Sequence, residues 1–561
     1  MPTPIEDRNR NLFERCKKLG DHVYAEDVGL VLRPNIEVTL KDRWGFDVVQ
    51  SSAWYAVSLA RWCTDHPDAC DEERHRLNRL MTTMSGRQDR DPDSPTYGNI
   101  YWRVGWPEVR DRNGVSFWSP EAGLIYLRYH DLLTDDTASQ VERALHLCVN
   151  GLDLHRPRWQ YTNIFLLNIL SRLTLAKALD RTDVLTRAEE DWHTWYTETG
   201  KGGFTEYNSP TYIVTALAPL GRMLDFARPE MCDEVERALV CLYADFCWHY
   251  HRPSGGLAGA MSRAYSGDWL HNSMTNHIAY QQLGEPHTAI NLSGPFTASS
   301  NYLAPEHIRS AGTRDKTGLV VRAAIPNLDI QRQTVFGEHF ALGTKSGPAY
   351  GHQELPLTIA HPGTRQHLIY LHQESQVRSS TFAASEGSTS LVLLDIPESD
   401  PESAPPHAWS KLRLGPESEF KTIRYGVDIW DGDYLDVASG DALSLTTDKI
   451  AMSFSFSIFP EEGASGKTAK ILFWNDYQTD QLTVEIVAWK PTRVGIALTV
   501  VDGSECPVIG RVEEDENDRY TLQTGNGRIE VSVGRAVEES VPLLEAPGFT
   551  WHRDWRFESV V

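Results

Sequence analysis

The chain has no apolar run of the roughly 18 or more residues that a membrane-crossing helix needs, which excludes a helical span. It also lacks an excess of positive charge. Lys and Arg number 54 against 77 Asp and Glu, a formal net charge of −23, and no dense basic stripe offsets it. That balance excludes nucleic acid and anionic membrane surfaces as partners and disfavours long polyanions. Cysteines are few and scattered, with no CxxC pair; together with the absence of an apolar signal core in Met1 to Arg10, this predicts reduced thiols and a cytoplasmic location. Cys241, Cys247, His249 and His251 come nearest to a zinc ladder, but cysteine is more often a small buried hydrophobe, so no metal ligands are assigned. A structural divalent metal in the second half is left open. No glycine-rich loop follows a strand and opens a helix, and no nucleotide or flavin is expected.

What is present is length and two kinds of patterning. At 561 residues the chain exceeds what one core usually supports, and its 41% apolar content suffices for two. From about residue 50 to 285, apolar residues recur at three- and four-residue spacing in the segments 51–65, 72–84, 120–133, 139–151, 163–179, 184–197, 210–226 and 231–250. Asp183 and Ser209 are candidate N-caps. Consecutive helices with short connections are antiparallel neighbours, and a long array of them closes into a toroid. After about Asn291 the pattern changes to short β-branched and aromatic runs, including 318–325, 368–372, 390–394, 471–474, 482–489 and 494–501, with loops at 400–407 and 461–467. The expected fold is α+β multidomain: an N-terminal (α/α) toroid of helical hairpins over residues 1–288, then a C-terminal antiparallel β-sandwich over 289–561.

Polar and phenolic groups concentrate at two helix entrances. One is Tyr161-Thr162-Asn163; the other is Glu206, Tyr207, Asn208, Ser209 and Tyr212 after Gly202-Gly203. A third cluster, Gly259 to Asn272, brings Arg263, Tyr265, Asp268, Trp269 and His271, a composition suited to sugar rings and hydroxyls. A fourth, Phe340 to Glu354, reads as a strand running into a polar loop.

Gly202-Gly203-Phe204, Glu206 and Pro210-Thr211-Tyr212 together resemble the Gly-Gly, Glu and Pro-x-Tyr arrangement of the heparinase II/III-like and alginate-lyase-like polysaccharide lyase superfamily. The chain departs from it by placing Tyr207-Asn208-Ser209 between Glu206 and Pro210, and by having Ile164 where a histidine commonly follows the asparagine. The resemblance implies a carbohydrate-active lyase acting on a uronate-containing oligo- or polysaccharide by β-elimination. It implies a catalytic tyrosine at Tyr212, with Tyr207 the other choice, an asparagine at Asn163 neutralising the substrate carboxyl group, and a histidine delivered by the sandwich, His352 before His339. Glu206, Asn208, Tyr161, Arg263, Tyr265, Trp269 and His271 are the expected substrate-binding residues. The chemistry agrees. An amide donor stabilises the developing enolate, and a phenol whose pKa is lowered by cations, with Arg156, Arg158 and Arg263 as candidates, moves the proton.

Bland readings stand beside these. Asn163 suits a helix cap, Tyr212 a core position, and Glu206 a structural carboxylate. Two other functions remain open: a glycoside hydrolase pairing Glu206 with Asp268 or Asp153, and a glycan-binding protein without catalysis.

Overall fold

The computed structural model describes residues 5–32, 47–264, 274–289, 291–350, 354–363, 368–373, 379–397, 408–415, 418, 420–426, 428–429, 434–459, 462–463, 466–476, 481–515, 517–524, 527–534, 537 and 541–559. It divides into two units, and not by one cut at residue 288. The first comprises Met1–Glu198, Tyr212–Leu242 and Met274–Pro305; the second comprises Thr199–Thr211, Tyr243–Ser273 and Glu306–Val561.

The helices are α1 (Ile5–Val23), α2 (Ser51–Asp65), α3 (Asp71–Ser85), α4 (Gly114–Arg128), α5 (Asp135–Leu154), α6 (Thr162–Ala178), α7 (Thr182–Gly202), α8 (Tyr212–Met223), α9 (Pro229–His249), α10 (Met274–Ile278), α11 (Gly294–Ala298) and α12 (Glu306–Thr313). None among the described residues is long and apolar enough to cross a membrane. In the first unit α2 packs on α4, α4 on α6, α6 on α8, α8 on α11 and α11 back on α2, so these five helices close a ring. Buried residues run unbroken along α6 from Thr162 to Ala176 and along α8 from Ile213 to Met223, as expected of helices enclosed on all sides. α5 instead buries one stripe, Ala138, Val141, Ala144, Leu145, Cys148, Val149 and Leu152, and packs outside the ring against α4 and α6.

Several boundaries differ from expectation. α1 was not foreseen, although it buries Ile5, Leu12, Phe13, Cys16 and Gly20 at helical spacing. Pro120 lies inside α4 rather than opening a helix. Helix also persists beyond Asn291, in α11 and α12. α5 is capped by the Thr134 side chain, which accepts from the Thr137 amide.

The second unit holds a large antiparallel sheet whose centre is a meander of β1 (Val320–Ile325), β2 (Ile330–Phe336), β3 (Ala341–Ser346), β4 (Leu357–Ala360) and β5 (Leu368–Gln373). Beyond β5 the sheet continues through Ala408–Gly415, Gln481–Ala488, Ala469–Asp476 and Tyr434–Asp436. A second antiparallel sheet is built on Ser380–Glu386, Thr389–Ile396, Thr492–Asp502, Ile450–Phe459 and Ala442–Thr446. One core joins the two: Leu342, Ile359, Ile369 and Leu371 from the first, and Val392, Leu394, Met452, Phe454, Phe456, Ile496 and Leu498 from the second, are all buried. Each such side chain contributes about 1.5–3 kcal/mol, which makes this face-to-face packing the sandwich's main support. The expected loop at 400–407 lies outside the described residues. Within 461–467, Glu462–Gly463 pairs with Gly466–Lys467 as a short hairpin.

The ring interior contains charge. Arg222 of α8 and Glu121 of α4 form an ion pair at 2.6 Å, each side chain only 1% exposed, and the Arg222 guanidinium also donates to the Pro120 carbonyl at 3.2 Å. Glu121→Gln leaves that guanidinium buried without its counter-charge, and denaturant unfolding is expected to show a loss of about 3–5 kcal/mol. The double replacement Glu121→Leu with Arg222→Met is expected to recover most of it.

Candidate functional site

Two groups of polar residues stand out, one in each unit. In the first, Asn113 contacts Tyr161, Ser116 contacts Ser171, and a side chain at Gly123 would meet Thr174, so positions rise in step and α4 and α6 run the same way. α7 follows α6 after only three residues, and since helices joined so tightly run antiparallel, the same rule returns α8 to the direction of α6. Asn113, Tyr161 to Asn163 and Tyr212 therefore open three co-directed helices at one end of the ring. Helix N-termini carry partial positive charge and unsatisfied amides, so this end favours an anionic group.

A hydrogen-bonded chain orders the entrance. Asp111 accepts from the Asn113 amide at 2.9 Å, and Asn99 donates to the Arg112 carbonyl at 2.7 Å while its oxygen accepts from the amides of Ile100 and Val115. Held by that loop, the Asn113 amide nitrogen donates to the Tyr161 hydroxyl at 3.1 Å, and its oxygen lies 2.9 Å from His155 Nε2. The arrangement assigns the proton to Nε2 and the lone pair to Nδ1. Burial, then the nearby Arg112 charge, pushes the His155 pKa down to about 4, so the ring is neutral at pH 7. Asn163 is fully buried in the first turn of α6, and the residue preceding the helix is Tyr161, so Asn163 is not the cap. Tyr212 is half-buried as the first residue of α8. Arg156 and Arg158 are exposed in the α5–α6 connection, where Arg156 donates to the Asp153 carbonyl.

In the second unit the segment from Gly203 to Thr211 is fastened throughout. Gly203 ends α7 in the left-handed conformation (φ 82°), with its amide donating to the Thr199 carbonyl, and a side chain at Gly202 would strike Asn327. The glycine pair thus serves helix termination and close packing. Glu206, fully buried, is held by Arg263 at 2.6 Å. Asn208, also left-handed (φ 46°), donates to the carbonyls of Ala258 and Ala260, and Ser262 donates to the Tyr207 carbonyl. Ser209 donates to the Arg263 carbonyl at 3.2 Å.

Tyr207 is fully buried, donates its hydroxyl to Glu354 and lies under the Arg332 guanidinium, 5.0 Å from the ring centre. Burial first, then the Glu354 charge, holds its pKa well above the usual phenol value, which overturns the expectation of a cation-lowered phenol there. Lys345, buried on β3, binds the same Glu354 oxygen at 2.8 Å and the Pro348 carbonyl at 2.6 Å, and burial pushes its pKa down against the pull of Glu354. Burial raises the Asp245 carboxyl, but Arg332 at 3.2 Å and His249 at 3.0 Å more than offset it, leaving it well below the carboxylate range.

His339 lies at the turn before β3, where Asp502 accepts its amide at 2.8 Å. Four residues of strand, about 13 Å, separate Ala341 from Lys345, so His339 is not part of the Tyr207 group. His352, Tyr265, Trp269, His271 and Asp268 lie outside the described residues. Sequence reasoning gives no role to His155, Asn113, Arg332 and Asp245, nor to Lys345 and Glu354 within the polar cluster Phe340 to Glu354. His155 has a visible signal, a histidine directly after a helical stripe and before Arg156-Pro157-Arg158, whereas nothing local announces that Lys345 and Glu354 pair with each other and with Tyr207.

The His155 environment has a pH consequence. Above pH 6.5, its ordinary pKa, the ring is neutral whether the chain is folded or not. As pH falls from there to about 4, the unfolded chain takes up a proton that the folded site refuses, so stability declines through that window. His155→Gln is expected to flatten part of this decline in urea titrations run at about pH 7, above the window, and at about pH 6 and 5, within it.

No curated protein sequence matches the chain. Solved structures similar to it include heparan sulfate lyase HepC from Pedobacter heparinus, 11% identical over 96% of this chain and 90% of that one with a TM-score of 0.36. A chondroitin AC lyase from Streptomyces coelicolor A3 is 11% identical over 92% of this chain and 83% of that one, with a TM-score of 0.41. The heparinase III BT4657 gene product is 9% identical over 90% and 86%, with a TM-score of 0.36. Residues 10–293, more than half of the chain, match the family described as Domain of unknown function (DUF8769), and the protein belongs to that family.

Proposed function

We propose that the protein is a carbohydrate-active lyase that cleaves a uronate-containing oligo- or polysaccharide by β-elimination, with Tyr212 moving the proton and Asn163 neutralising the substrate carboxyl group. The observation that carries this reading is the placement of Asn163 and Tyr212 in the first turns of the adjacent helices α6 and α8. A uronate carboxylate entering there meets helix N-termini that stabilise negative charge, and stabilises it further as the enolate forms.

The chemistry needs few groups. The C5 proton passes to the Tyr212 phenolate, the electron pair forms the C4=C5 double bond, and the C4–O bond breaks. The phenol then returns the proton to the departing oxygen, which restores the enzyme. The Asn113, Tyr161 and His155 chain supports the reading as a neutral, ordered wall beside the entrance. His155 is a positioning residue in it, since its Nε2–H is committed to Asn113.

The hydrolase alternative has less support. Glu206 is paired with Arg263 and Asp153 with Arg172 at 2.9 Å, so both carboxylates have structural partners. Glu206, Asn208 and Arg263 are proposed to bind substrate only through the loop they hold in shape, and Tyr207 to position that loop.

Incubation with a panel of uronate oligosaccharides is expected to produce the ultraviolet absorbance of an unsaturated uronate. Tyr212→Phe should lower kcat/KM by about 100-fold or more while leaving the melting temperature unchanged. New reducing ends without that absorbance would move the assignment to a hydrolase, and binding without turnover to a glycan-binding protein.

A further inference from the structure

The second unit contains a cavity of about 360 Å³ that none of the residues above uses, within the size range of small-molecule sites. Its floor is Lys316, only 6% exposed although it is a lysine. Nζ donates to the carbonyls of Cys247 at 2.8 Å and Tyr250 at 2.5 Å, the open end of α9, and lies 5.3 Å from the Phe336 ring centre. These two bonds engage one carbonyl in the last turn of α9 and one just beyond it, and an ammonium has three protons. The third is left for the cavity that Lys316 lines.

The surrounding groups define the ligand. Arg252 after α9 and Arg314 after α12 stand at the exposed rim, with the Arg314 guanidinium 5.5 Å from the Trp248 ring centre. Asp315 and Glu338 also line the cavity, but one Asp315 oxygen already accepts from the amide and hydroxyl of Thr317. His251, its Nδ1 against Ser254 at 3.0 Å, and Tyr250 complete the wall. Lys316 at the floor and Arg314 at the rim give the cavity two donors of the kind that receive an anionic oxygen. A carboxylate brings a counter-charge to a buried ammonium, which a neutral molecule cannot do.

We infer that this cavity is a binding site for a small monocarboxylate, its carboxyl group received by the third Lys316 proton at the floor and by Arg314 at the rim. The inference is independent of the proposed elimination, since no part of it involves α6, α8 or a bond-breaking step. It has a proton signature. Burial, partly opposed by the nearby Cys247 and reinforced by Arg314, pushes the Lys316 pKa down to about 7, so the amine is largely uncharged a unit above that pH. A carboxylate raises it again, and binding takes up a proton.

Calorimetric titration of the full chain with D-glucuronate, which has no glycosidic bond to cleave, tests this directly when run at about pH 8 in two buffers of different ionisation enthalpy. The expected result is binding with uptake approaching about one proton, falling toward zero at about pH 6, and no binding of D-glucose. Arg314→Gln, an exposed position, should weaken glucuronate binding about tenfold without shifting the melting temperature. Lys316→Arg keeps the charge and the helix-end donors and should bind without proton uptake. Equal binding of glucose, binding by the unaltered chain without proton uptake at the higher pH, or no binding of glucuronate would each overturn the inference.

Discussion

The ion pair between Glu121 and Arg222 is the interaction on which the helical unit depends. Taking two charges out of water is costly, and their attraction compensates only when the geometry is good; at 2.6 Å and 1% exposure, each group needs the other. The pair joins α4 to α8, two helices that both flank α6. A ring of nearly featureless apolar helices has many ways to slide, because apolar packing is indifferent to small shifts along the axis. One buried ion pair is not. It fixes the register of α4 against α8, and with it the level at which Asn113 and Tyr212 open those helices.

The second unit applies the same device to a loop. Residues 203–211 contain few apolar groups and would not order by burial alone. Glu206 is held by Arg263, Tyr207 by Glu354, and Glu354 in turn by Lys345. Asn208 ties the loop to Ala258 and Ala260, which lie on either side of Gly259. Gly259 crosses β3 so closely that a side chain at Gly343 would come within 2.3 Å of its Cα. Polar groups at such a density suggest chemistry when met in sequence. Here most of them hold the loop in place, and the proposed elimination draws instead on residues at the helix entrances.

The sequence and the structure agree where periodicity carries the information. The strand at Val320–Ile325, the one at Gln481–Ala488 and the helix at Ser51–Asp65 all sit where their patterns place them. Agreement weakens where another signal competes. Pro120 suggested a helix start, yet tertiary packing keeps it inside α4. Asn163 suggested a cap, yet α6 begins one residue earlier and buries it. Tyr207 was legible as a functional phenol only because its partner was not: Glu354 lies 147 residues away, and no local pattern announces the pairing. Lys345 likewise reads as a surface lysine on an alternating strand until Glu354 is found beside it.

Elimination and hydrolysis differ in mass balance, which makes mass spectrometry of a single cleavage the most direct measurement of the central claim. A purified uronate oligosaccharide is treated with the protein, and the two product masses are summed. The account predicts a sum equal to the substrate mass, because the departing oxygen takes only the proton released from C5 and no water enters the products. A sum greater by one water molecule would contradict it and transfer the helix-entrance site to a hydrolytic reaction.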